Sequence, residues 1–202
     1  WEVTDTWDSQ SHKEDGNTLF LARFEESYTS EEGDSPITQT GTSFTDGSIG
    51  NATLIDGSDE LSYNTTDNFN MTQGTIEMWI YPTIDFDATG GLQVFFNVYH
   101  SSGNSFEWYF ASSTDEIIWS ETDADSRLFS GGNATEWNAN QWYHMALTWD
   151  FVNDDYRLYR DGQLVGVDTT ALTEPSTGSE MNLGTYYDGS VQMDSRIDDV
   201  RI

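Results

Sequence analysis

Apolar residues recur at every second position in short runs, and polar, glycine-rich stretches separate the runs. That period puts alternate side chains on opposite faces of an extended strand. The clearest run is Thr75–Pro82, TIEMWIYP, with Ile76, Met78 and Ile80 on one face and Glu77, Trp79 and Tyr81 on the other. Trp142–Trp149 alternates as strictly, Tyr143, Met145, Leu147 and Trp149 against Trp142, His144, Ala146 and Thr148. Both of its faces are partly apolar, as expected of a central strand. Leu92–Tyr99 and Phe106–Ala111 form the next pair. In the second of these Phe106, Trp108 and Phe110 share one face, while Glu107 and Tyr109 share the other. Ile117–Ser120 follows, and Ala52–Ile55 and Leu61–Tyr63 are shorter strands upstream.

Tyr156–Arg160 and Gln163–Asp168 flank Asp161-Gly162. This dipeptide is a strong hairpin signal, because a type I′ turn needs positive φ at both central positions. Near the end, Ile197 and then Val200 and Ile202 break alternation, which a bulge at Asp198-Asp199 repairs. Leu19–Phe24 reads as the first strand, with Leu19, Leu21 and Phe24 inward, followed by a long acidic loop over 25–43. Residues 1–18 read as a linker and 19–202 as the domain. No helical or heptad period competes with this pattern. About a dozen short strands predict an all-β fold, a two-sheet antiparallel β-sandwich.

Several of these segments occur together in a known order. GTIEMWIYP (74–82), WNANQWYHMALTWD (137–150), YRLYRDGQLVG (156–166), MNLGTYYDG (181–189) and SRIDDVRI (195–202) resemble the laminin-G-like jelly roll of the concanavalin A-like lectin/glucanase superfamily. The resemblance runs from about Leu19 to Ile202 and implies a jelly-roll sandwich. It constrains function less, since the superfamily hosts lectins, carbohydrate-binding modules, adhesive domains, viral surface domains and glycosidases. Its glucanases carry Glu-x-Asp-x-x-Glu on a strand. Here Glu121-Thr122-Asp123 begins that motif but Ser126 stands where the last Glu belongs, so the chain is expected not to be an enzyme. The family position of His144 implies a structural histidine. Many members hold one calcium, and their first and last strands lie together. That implies Glu25, Glu26 and Asp198 as calcium ligands, a set of oxygens of the kind this ion takes.

Composition narrows the setting. Thirty-six Asp and Glu oppose seven Lys and Arg, for a net charge of -29. Such self-repulsion raises the energy of the compact state, and it is nearly screened out in molar salt, where the Debye length is about 3 Å. A halophilic setting is the expectation. Eight Trp, with ten Tyr and eleven Phe, supply the core that a disordered acidic chain lacks. Nucleic acid is excluded as a partner, because seven dispersed basic residues offer phosphates no track. Membrane insertion is excluded as well, since no apolar run approaches the length of a span. The chain has no cysteine and begins on Trp1, which reads as part of a larger chain or assembly.

Carbohydrate binding needs an aromatic platform beside hydrogen-bonding groups. Tyr186-Tyr187-Asp188-Gly189 lies in a polar loop between short strands and is the leading candidate, and Trp108 is a further one. Trp79, Tyr81, Tyr109 and Trp119 are further aromatics that a sandwich core can claim. Four sequons, at Asn51, Asn64, Asn70 and Asn133, are candidate glycosylation sites. The expected role is an extracellular recognition module at a cell surface or on a virion, contacting glycans or a host or virion surface protein.

Overall fold

The computed structural model describes residues 16–86, 91–101, 104–112, 116–120, 126–129, 137–191 and 193–202. The strands are β1 (Leu21–Ala22), β2 (Thr38–Thr40), β3 (Ser43–Asp46), β4 (Asn51–Ile55), β5 (Glu60–Asn64), β6 (Gln73–Pro82), β7 (Leu92–Ser101), β8 (Asn104–Ala111), β9 (Glu116–Ser120), β10 (Ser126–Phe129), β11 (Tyr143–Asp150), β12 (Asp155–Arg160), β13 (Gln163–Asp168), β14 (Glu180–Leu183) and β15 (Ser195–Arg201). They form two antiparallel sheets. An eight-stranded sheet runs β13-β12-β11-β6-β15-β4-β3, with β1 added against β15, and a seven-stranded sheet runs β10-β9-β8-β7-β14-β5-β2. The fold is the all-β, jelly-roll sandwich expected from the period of the sequence. Among the described residues no helix is long and apolar enough to cross a membrane.

The inner faces meet in one aromatic-rich core. Ile76, Met78 and Ile80 of β6 and Tyr143, Met145, Leu147 and Trp149 of β11 face Phe106, Trp108 and Phe110 of β8 and Met181 and Leu183 of β14. Stacked pairs bridge the layers, Trp119 with Tyr156 at 4.6 Å and Phe69 with Trp149 at 5.2 Å. Burying rings of this size supplies most of the drive to fold. The Asp161-Gly162 turn forms with φ of 51° and 75°. The final strand shifts register between Asp198 and Arg201, and Asp199 takes φ 47° to make the bulge.

Two expectations fail at the N-terminal end. Phe24 faces inward as expected, but its companions in the core are Phe20 and Ala22, not Leu19 and Leu21. Regular pairing lasts only over Leu21–Ala22, and Phe24 already has φ 58°, so the alternation runs one residue out of the expected phase and ends on Phe24. The acidic stretch over 25–43 is not all loop, because β2 pairs with β5 and Ser43 opens β3. Its short polar strands carry no apolar period to betray them. Residues 1–15 lie outside the described residues. Thr18 is tied to the domain by a 2.9 Å bond from Arg201 Nε.

Candidate functional site

The outer face of the seven-stranded sheet carries a polar row. One row of residues crosses six strands in register: Thr38, Ser62, Asn182, Asn97, Glu107 and Ser120. Alternation explains the row, since each of Ser62, Asn182, Asn97 and Glu107 sits between residues that enter the core. Asn97 is 0% and Glu107 8% exposed. Asn182 Nδ2 donates only long bonds, of 3.4 and 3.5 Å, to the Asn97 carbonyl and Oδ1. Asn97 Nδ2 has no partner among the described residues. A buried donor left unpaired costs about 1–3 kcal/mol, so the layer beneath this face is incompletely satisfied.

The loop after β14 closes over one end of the row. Gly189, at φ 67°, turns the chain back, its N–H donating to the Tyr186 carbonyl at 3.0 Å. Asp188 Oδ1 accepts from Ser190 N–H at 2.9 Å, and its bonds to Ser190 hold this carboxyl below its ordinary range. The Tyr186 hydroxyl donates to Glu107 Oε1 at 2.5 Å, and Ser105 Oγ donates to the same oxygen at 2.7 Å. Glu107 is thereby fixed as an acceptor. Tyr187 lies flat on Tyr99, 3.6 Å between centroids and 6° between planes, yet stays 42% exposed. Its hydroxyl is pushed up in pKa, first by its hydrogen bond with Tyr99. Tyr186 stands at 47° to it, 5.1 Å away. The result is a rigid aromatic corner with an open ring face and a carboxylate beside it. Tyr99 also borders a cavity of about 610 Å³ lined by Thr65, Thr66, Asp67, His100 and Ser179.

Tyr186, Tyr187 and Asp188 are therefore brought together, but Trp108 is not with them. Trp108 is 0% exposed and packs edge-on against Phe95 at 5.4 Å, inside the sandwich. No ligand on the surface reaches it. Trp119 is core as well. Tyr99, Asn97, Asn182 and Glu107 were missed. A polar residue inside an apolar run, as in LQVFFNVYH and SFEWYF, was the available signal, because buried polar groups are uncommon without a purpose.

Two of the three carboxylates expected to hold calcium, Asp198 and Glu25, meet one turn from two sides, and Glu26 does not join them. Asp198 Oδ2 accepts from the amides of Ser48 (2.8 Å) and Ile49 (3.1 Å), and Glu25 Oε2 accepts from Asn51 N–H at 3.1 Å. β1 on β15 creates this neighbourhood. Asp198 is 0% exposed and its Oδ1 has no hydrogen-bond partner among the described residues. Burial pushes its carboxyl up to about 7, the Asp199 charge adds to the rise, and the Ile49 and Ser48 amides oppose it. A Cβ on Gly47 would stand 2.7 Å from both Asp198 Oδ2 and the Asn51 carbonyl oxygen. Glu26 is exposed at φ 60°. Among the described residues no three acidic or histidine side chains gather into a metal-binding group.

His144 lies on the outer face of the eight-stranded sheet, edge-on to Trp79 at 5.1 Å, with Nε2 3.7 Å from Glu77. Asn64 and Asn70 are exposed and Asn51 is half-buried, whereas Asn133 falls outside the described residues.

Solved structures share this architecture. Domain 4 of AbnA, an extracellular arabinanase of Geobacillus stearothermophilus solved with arabinotriose, is 15% identical with a TM-score of 0.71, over 92% of this chain and 91% of that one. The receptor binding domain of botulinum neurotoxin C/D mosaic serotype is 12% identical with a TM-score of 0.69, over 92% of this chain and 47% of that one. The botulinum neurotoxin serotype D ligand binding domain, solved with N-acetylneuraminic acid, is 13% identical with a TM-score of 0.67, over 92% and 47%. The chain thus spans about half the length of the toxin domains. No curated protein matches it significantly in sequence. A family model matches residues 55–202, which include β5 to β15 and the tyrosine corner, and the chain therefore belongs to the concanavalin A-like lectin/glucanases superfamily.

Proposed function

We propose that this domain is a non-catalytic glycan-binding module and that the Tyr99–Tyr187 corner is its sugar platform. The observation that carries the reading is the open ring of Tyr187 beside a buried row of amides and a fixed carboxylate. A sugar ring offers an apolar face to stack and hydroxyls to donate, and this corner offers a match for both. The arabinotriose complex of a domain with the same fold supports the reading, as do the toxin binding domains. Glu107 spends Oε1 on Tyr186 and Ser105, which suits a fixed acceptor better than a proton carrier. A glycan array in molar salt, followed by calorimetry, tests it. Tyr187→Ala should lose at least tenfold in affinity while Trp79→Ala, on the other sheet, leaves it unchanged. Wild-type protein that binds no glycan would overturn the reading.

The surrounding conditions belong to the same proposal. The net charge of -29 supports work in brine, at a cell surface or on a virion. Folded structure should be lost below about 0.5–1 M salt as screening fades. Full stability in dilute buffer would refute it. Calcium is proposed at Asp198. Its unpaired buried oxygen, and the Glu25 carboxylate across the turn over 47–51, supply part of the oxygen set this ion takes. Calcium should raise the melting temperature of the wild type and not of Asp198→Asn.

A further inference from the structure

The charges around the tyrosine corner limit which glycans can enter it. We infer that the site takes neutral glycans and excludes those bearing carboxylate or sulfate groups. The inference rests on the glycan-binding reading and narrows it.

Every described ionised group close to the corner is an acid. Glu107 is in contact with Tyr186. Asp188 follows Tyr187 in the chain, and its charge and that of Glu107 both act on the Tyr187 hydroxyl. The Glu60 carboxylate packs against Gly189, at the turn of the same loop. Glu180 accepts from Ser62 Oγ at 3.2 Å, in the polar row or beside it. The cations lie elsewhere. Arg157 and Arg160 are on β12, Arg196 and Arg201 on β15, all in the opposite sheet, and Arg23 follows β1, which pairs with β15. Arg127 is on β10, the far edge of the seven-stranded sheet, in register with the core residue Trp119. Three strand spacings separate β10 from Tyr99 on β7, roughly 14 Å, which exceeds the Debye length of about 8 Å at physiological salt. No described arginine is placed to receive an anionic sugar, and the imidazole near the corner is that of His100, in the cavity that Tyr99 borders.

Two effects then act together. At contact distance, like charges repel where water is displaced, a penalty that bulk salt screens only partly. The hydrogen bonds also mismatch. A carboxylate accepts and cannot donate, so Glu107 and Asp188 need donors, which sugar hydroxyls supply and a uronate or sulfate group does not.

The test compares neutral trisaccharides of pentoses and hexoses with trigalacturonate and sialyllactose, by calorimetry in salt where circular dichroism shows the domain folded. At least one neutral trisaccharide should bind at least tenfold more tightly than either acid. Tyr187→Ala should abolish that binding, and Asp188→Asn should narrow the gap between neutral and acidic ligands at least threefold. Acidic glycans binding as well as neutral ones, with the same dependence on Tyr187, would overturn the inference and leave the glycan site standing. Binding that ignores Tyr187→Ala, or no binding to any of these sugars, would overturn the site itself.

Discussion

The two outer faces of the sandwich both carry aromatic rings, and they use them differently. On the eight-stranded sheet the rings are spent on each other and on arginine. Trp79 meets His144 at 5.1 Å, Tyr81 meets Trp142 at 5.2 Å, and the Arg196 guanidinium lies 4.8 Å from the Tyr81 ring centre. All of these side chains are half-buried. On the seven-stranded sheet the Tyr99–Tyr187 stack leaves one ring face open beside polar groups that are buried and incompletely paired. A platform is defined by that unspent face and its polar surroundings, not by the number of aromatic residues. The same contrast exists inside one strand. Glu107 and Trp108 are neighbours in β8, yet one faces the site and the other the core.

That pair gives the sharpest way to break the comparison. Trp108→Ala should cost about 3–5 kcal/mol in a denaturant titration, as large core truncations do. Glu107→Gln should keep stability within about 1 kcal/mol, the scale of one exchanged hydrogen bond, and still weaken glycan binding severalfold. The reverse pattern, a stable Trp108→Ala that no longer binds and an unstable Glu107→Gln, would show that β8 has been turned inside out.

Among the described residues each outer face also buries one carboxylate, Glu107 on one and Asp198 on the other. Glu107 receives two hydroxyl donors on the same oxygen, whereas Asp198, opposite Trp79 in register, keeps one oxygen without a partner and has its pKa raised to about 7. For an acid whose folded pKa lies above its unfolded value, the unfolded state gives up the proton first. Stability is then fullest below the unfolded value of 3.8 and is lost as pH rises toward about 7. In chelator, the free energy of unfolding should fall across that window, by at most about 4 kcal/mol, and Asp198→Asn should flatten the fall. A flat profile in the wild type would mean that Asp198 is better paired than its surroundings indicate.

The contrast between faces was half legible in the sequence. Strict alternation in β6 and β11 separated inner from outer residues correctly, because a buried face tolerates no slip of register. The Asp161-Gly162 turn and the bulge at Asp198-Asp199 were legible for the same reason: each is a local backbone requirement. The tyrosine loop was visible as a polar, aromatic stretch between strands. Its partners were not. Tyr99 and Glu107 reach Tyr187 and Tyr186 only because β14 pairs with β7, and that adjacency spans more than 80 residues of chain. Trp108 was misread because tryptophan on a strand next to polar neighbours looks alike whether it faces in or out. β2 was hidden by the absence of any apolar residue in Thr38–Thr40.

The smallest expected effect tests the other face. Arg196 contributes a cation–π contact to Tyr81 and an Nη1 bond to the Asp46 carbonyl at 3.1 Å. Partly exposed contacts of this kind are worth about 0.5–1 kcal/mol. Arg196→Ala should therefore lower stability by no more than that in a denaturant titration, and glycan affinity should not move. Arg196→Lys should recover part of the loss, since the charge remains while the flat guanidinium surface over the ring does not. A measurable drop in glycan affinity in either variant would place a binding surface on the eight-stranded sheet. It would also remove the basis for excluding acidic sugars, because the protein's arginines would then belong to the site instead of lying behind it.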